Sequence, residues 1–141
     1  MDVLEHIDDD LGFLAQYAGK VAAGTHFLIS VPAFEFLWSA HDIFLEHKRR
    51  YTLKQAQSLA RQAGLEVRAG AYYFAAVFPI AATLRLAGNL LRGKDSQPRS
   101  QLTKHHPLIN KILSLMCQAE LSIFKHNRLA GLSIFVLARK P

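Results

Sequence analysis

The sequence predicts an α/β fold, and three stretches carry the prediction. An amphipathic helical pattern runs directly into Thr25 to Val31, a β-branched apolar run that Pro32 ends because proline brings no N–H to a ladder. Thr52-Leu-Lys-Gln55 reads as a capping box opening a second helix, and the alternating run Leu65 to Ala69 follows it. Gly131 to Arg139 closes the chain and is apolar on both faces, as a central or covered strand is. Helices alternating with strands imply a sheet with helices packed on it.

Taken in order, Asp8, Asp9 and Asp10 offer N-cap and first-turn acids to a helix whose dipole favours them. Leu11, Leu14, Ala18 and Val21 give that helix its apolar face, and Ala23-Gly24 turns it into the Thr25 to Val31 strand. Helix followed by buried strand is half of a parallel βαβ unit. The polar cluster VPAFEFLWSAHDIFLEHKRRYT, Val31 to Thr52, begins at that strand's carboxyl end, where open α/β sheets bind ligands. The capped helix should run to about Ala63, with Leu53, Ala56, Leu59 and Ala60 inward and Gly64 as its C′ residue. Pro79 opens an apolar helix carrying Leu84, Ala87, Leu90 and Leu91. Gly93 to His106 is a polar linker, and Pro107 starts a long helix to about Lys125. Residues 79–128 thus form a helical insertion within one domain spanning 1–141.

Composition sets the frame. Half the 141 residues are hydrophobic and 20% are charged, an ordinary globular balance. The net charge of +6 is uneven: six acids accompany Lys20 up to Glu35, whereas sixteen Lys and Arg face five acids from Phe36 onward. Cys117 is the only cysteine, which excludes an intrachain disulfide and a cysteine-based zinc cluster and agrees with a reducing cytoplasm. The acidic start MDVLEHIDDD lacks the basic opening of a signal peptide. The longest uncharged run, Ala69 to Leu84, is shorter than the roughly 20 residues of a spanning helix and contains Pro79.

MDVLEHIDDD, the cluster LISVPAFEFLWSAHDIFLEHKRRYT, the capped helix, GLEVRAG and the terminal GLSIFVLARKP together resemble the carboxyl half of class I S-adenosylmethionine-dependent methyltransferases. The nearest likeness is to a small-molecule branch with tryptophan-serine-x-histidine-aspartate followed by histidine-x-arginine-arginine-tyrosine. The resemblance implies a partial doubly wound, Rossmann-like sheet whose last two strands, Leu65 to Ala69 and Gly131 to Arg139, form an antiparallel hairpin. It also implies S-adenosylmethionine as the cofactor of the complete enzyme. The family's glycine-rich loop and ribose-binding acid have no counterpart here, so the chain reads as a fragment, inactive alone.

By that resemblance Met1, Asp2, Glu5 and His6 face the cofactor. The competing readings are that the acids cap a helix while Glu5 and His6 orient a loop, or that the run holds a divalent metal, as its likeness to the acid-x-x-acid-histidine cluster of ubiquinone-pathway O-methyltransferases implies; the residues favour the first, and no metal is assigned. His41, Asp42 and His47 are the catalytic candidates: a base near neutral pKa, its orienting carboxylate and a second proton carrier. Trp38, Arg49, Arg50 and Tyr51 are the substrate-binding candidates, the guanidinium forks matching a carboxylate or phosphate on a small-molecule acceptor. A solvated helix entry with Tyr51 buried explains the same basic run. Glu46 stands where the family usually has glycine, and an acid there would repel an anionic acceptor or pair with Arg49 or Arg50.

The expected function is methyl transfer to a small-molecule or lipid- or saccharide-linked acceptor. The alternative is a non-catalytic module that binds a partner or an anionic membrane through its basic helices. No nucleic-acid motif interleaves the basic residues. The expected location is cytoplasmic, with peripheral membrane contact. The open edge of Thr25 to Val31 predicts a homo-oligomer or a strand-swapped dimer.

Overall fold

A computed structural model describes residues 3–92 and 106–141, with residues 89–92 described by backbone alone. Among these residues three strands form one sheet: β1 (His26–Pro32), β2 (Glu66–Tyr73) and β3 (Ser133–Arg139). Five helices among the described residues accompany them: α1 (Asp10–Lys20), α2 (Ala40–Phe44), α3 (Leu53–Gln62), α4 (Phe78–Arg92) and α5 (Pro107–Leu121). Short 3-10 turns occur at Leu4–His6, Glu35–Leu37 and Phe124–His126. Most of the predicted linker, residues 93–105, lies outside the described residues, as do Met1 and Asp2.

Asp9 caps α1 by accepting from the Gly12 N–H at 2.8 Å, and Lys140 Nζ closes the other end on the carbonyls of Ala18 and Val21. The box at Thr52 forms as its sequence predicts, with Thr52 and Gln55 each bonding the other's backbone N–H, and Gly64 ends α3 at φ +82°. The helix beginning at Pro107 stops at Leu121, four residues early; Glu120, 5% exposed, accepts instead from the N–H groups of Ala75 and Ala76 at the entry to α4.

The sheet order is β1-β3-β2, and β3 is antiparallel to both neighbours. The predicted hairpin of Leu65 to Ala69 with the terminal strand is therefore present; β2 extends on to Tyr73, with a bulge between Val67 and Ala69. Thr25 to Val31, read as half of a parallel βαβ unit that lacks its first strand, pairs on one side with β3, and its other edge carries no ladder among the described residues. Since β1 and β2 both oppose β3, they run in the same direction, and α3 is the crossover between them. Gly131 precedes β3 where an added Cβ would strike the Tyr73 backbone, so only glycine lets these segments approach.

Ile29, Val31, Ile134, Val136 and Ala138 point from the sheet into a core completed by Leu14 and Ala18 of α1 and Ala56 and Ala60 of α3. Each buried Val or Ile contributes roughly 1.5–3 kcal/mol by leaving water. The opposite face is less covered. Leu28 pairs across the ladder with Leu137 and is 52% exposed, so β1 is a half-covered edge strand rather than a fully buried one.

Candidate functional site

The polar stretch is folded around Asp42. Ser39 starts α2 with a capping box in which Asp42 Oδ2 accepts from the Ser39 N–H and hydroxyl at 2.9 and 3.0 Å. Asp42 Oδ1 faces the other way and accepts from Arg50 Nε at 2.8 Å, Arg50 Nη2 at 2.7 Å and His47 Nδ1 at 2.9 Å. The residue is 0% exposed. Burial alone would push its carboxyl up, but the charge and hydrogen bonds of Arg50, with those of His47 and Ser39, hold it below the usual carboxylate range.

Asp42 orients His47 and not its neighbour His41, because consecutive helical residues point about 100° apart. His47 returns to Asp42 because α2 ends at Phe44 and Glu46 takes φ +57°, which lets the His47 N–H donate to the Asp42 carbonyl at 2.9 Å. That is a left-handed conformation natural to glycine, held here by a residue with a side chain. His41 stacks on Phe44 instead. Burial, with Arg85, His47 and Arg50 nearby, lowers its pKa against the opposing pull of Asp42.

The arginines are occupied internally. Arg50 is 8% exposed and also donates Nη1 to the Ala33 carbonyl, so it braces the loop rather than facing an acceptor. Arg49 pairs with Asp10 at 3.3 Å and donates to the Asp8 carbonyl, while Lys48 holds the Asp8 carboxylate. Glu46 is thus not the partner of either arginine in the ion pairs among the described residues. Tyr51 is buried, donates to Asp10 at 2.7 Å and sits in a parallel bridge with Ala33; burial and Asp10 push its phenol upward. Trp38 ends the Glu35–Leu37 turn and is half-buried.

The Lys48 N–H donates to the Glu5 carbonyl at 2.7 Å, which pins the Leu4–His6 turn against the His47 loop. Glu5 is 1% exposed, and the rings of His6 and His47 meet edge to face at 4.8 Å. One ligand atom each from Glu5, His6 and His47 lies within 4.8 Å of the others. A separate open cleft of about 340 Å³, lined by Asp10, Arg49, Tyr51, Gln55, Ser58 and Gln62, adjoins Arg50 but does not include His47. In the cleft, Asp10 is already paired with both Arg49 and Tyr51.

The sequence supplied Asp42 and His47 as candidates but not the pairing between them. No local signal marks the turn that makes it, since a glutamate at position 46 is not a residue type that favours a left-handed backbone. The meeting of His47 with Glu5 and His6 has no local sequence signal, since it depends on docking segments some 40 residues apart. No protein-family model matches the chain, and no curated protein sequence matches it.

Proposed function

We propose that this chain forms the acceptor-facing side of an S-adenosylmethionine-dependent methyltransferase, with His47 as the general base and Asp42 as its positioning carboxylate. The observation that carries the reading is the Asp42–His47 pair at 2.9 Å, held by Arg50 and Ser39 just past the carboxyl end of β1. With an ionised Asp42 accepting from Nδ1–H, Nε2 of His47 keeps its lone pair for an acceptor hydroxyl proton. Support for the fold part of the reading comes from the hairpin of β2 with β3 and the crossover from β1 through α3 to β2, both features of a partial doubly wound sheet.

S-adenosylmethionine would supply the sulfonium methyl group. Its adenosine and ribose do not fit the described residues: Gly24, Gly64 and Gly131 precede their strands, and no strand leads into a glycine-rich loop. What this chain would contribute is the base and the carboxylate behind it; the donor would be held by residues other than those described. Nuclear magnetic resonance with a panel of small hydroxylated acceptors tests this. The reading expects shifts at His47 and His6 and donor binding weaker than about millimolar by calorimetry. Micromolar donor binding, or acceptors that leave His47 unmoved, would contradict it.

A second reading, a membrane-surface module, is favoured by one observation. Ile80, Leu84, Leu108, Ile112, Leu115 and Leu121 of α4 and α5 are each half-exposed or more. No described helix is long and apolar enough to cross a bilayer. Co-sedimentation with vesicles that rises with anionic lipid and is lost in salt supports this reading; salt-independent absence of binding removes it.

A further inference from the structure

We infer that Glu5, His6 and His47 form a binding site for one divalent transition-metal ion of the zinc or cobalt class. The inference goes beyond the methyl-transfer reading and does not depend on it. Two side chains come from the Leu4–His6 turn and the third from the loop after α2, and the Lys48 to Glu5 backbone bond clamps these segments together. Two imidazoles and one carboxylate are the donor set of many three-ligand zinc sites, which leave a fourth position open.

Geometry makes the set competent. The ligand atoms lie within 4.8 Å of one another, whereas ligands around a tetrahedral zinc are about 3.4 Å apart. Rotation of the Glu5 and His6 side chains toward His47, whose ring Asp42 holds, closes the difference.

The stronger observation lies behind the ligands. Metal-binding histidines almost always donate their second ring N–H to a carboxylate, which fixes the tautomer and raises the basicity of the other nitrogen. His47 Nδ1 does so to Asp42, a fully buried carboxylate that Arg50 and Ser39 hold in turn. Nε2 is therefore the nitrogen left for an ion. Glu5 is withdrawn from water at 1% exposure, and in that reduced dielectric a carboxylate and a divalent cation attract each other more strongly than at the surface. The ion and an acceptor proton compete for the same lone pair, so metal occupancy would silence His47 as a base.

Zinc(II) and cobalt(II) are the probes. Titration of the full chain should show one equivalent bound at micromolar or tighter Kd, with ligand-field bands for cobalt. His47→Ala and His6→Ala should each weaken binding at least tenfold. Asp42→Asn should weaken it about tenfold through the lost orientation, and His126→Ala should leave it unchanged. Because a site variant can fail to fold, the unaltered chain is also followed by histidine ring nitrogen resonances under zinc. Shifts at His6 and His47 support the site. Shifts confined to His26 or His126, or no saturable binding, would overturn it.

Discussion

Asp42 binds the imidazole five residues ahead of it, His47, and not the one beside it, His41. The same Asp42 oxygen carries Arg50, so a single buried carboxylate fixes both a candidate base and the strut of the loop. Removing that carboxylate leaves the Arg50 guanidinium, 4% exposed, without its counter-charge. Asp42→Ala should therefore cost about 3–5 kcal/mol in denaturant unfolding. Asp42→Asn should cost less, since the capping bonds to Ser39 can persist.

The lowered pKa of Asp42 also sets a pH dependence. A carboxyl with a folded pKa below its unfolded value adds stability that is fully present above about pH 4 and is lost as pH falls through the folded value. Unfolding midpoints across the acid range should fall for the native chain and change less for Asp42→Asn. Equal slopes for the two would remove Asp42 from the acid response.

Much of the architecture was legible because its determinants are local. The Thr52–Gln55 box and Gly64 after α3 each act within a few residues and sit where their chemistry requires, whereas Pro32, read as the stop after Val31, is the last residue of β1 and pairs with Ser133. Ladder partners were less legible. Nothing local to Thr25 to Val31 says that β3, a hundred residues later, takes the adjacent slot. The site divides the same way: Asp42 and His47 stand out by residue type, but their pairing depends on the turn at Glu46, and Arg50 looks like an anion receptor until its buried partner is known.

Glu46 holds a left-handed backbone at the cost of about 1 kcal/mol for a side-chain-bearing residue. Glu46→Gly should raise stability by roughly 0.5–1 kcal/mol and leave the His47 bond in place. A loss of stability would show that the Glu46 side chain makes a compensating interaction.

Gly131→Ala should destabilise by about 1–3 kcal/mol, because the new methyl meets the Tyr73 main chain rather than a movable side chain. Thermal unfolding of that variant beside Gly19→Ala, where an added methyl meets nothing, separates this contact from general glycine effects.

The outer edge of β1 carries no described ladder, and Leu28 stands half-exposed beside Leu137. Light scattering should show self-association that grows with concentration and that Leu28→Lys reduces, since a charge on an edge opposes strand addition. A monomer at all concentrations would count against the edge as an interface.

The orientation of His47 by Asp42 is the centre of this account, and its ring tautomer tests it most directly. Long-range proton–nitrogen correlation at neutral pH should find His47 with its proton on Nδ1 and its lone pair on Nε2, and Asp42→Asn should disturb that state. A proton resident on Nε2, or rapid exchange between the two nitrogens unaffected by Asp42→Asn, would contradict both the base and the metal ligand assigned to this residue.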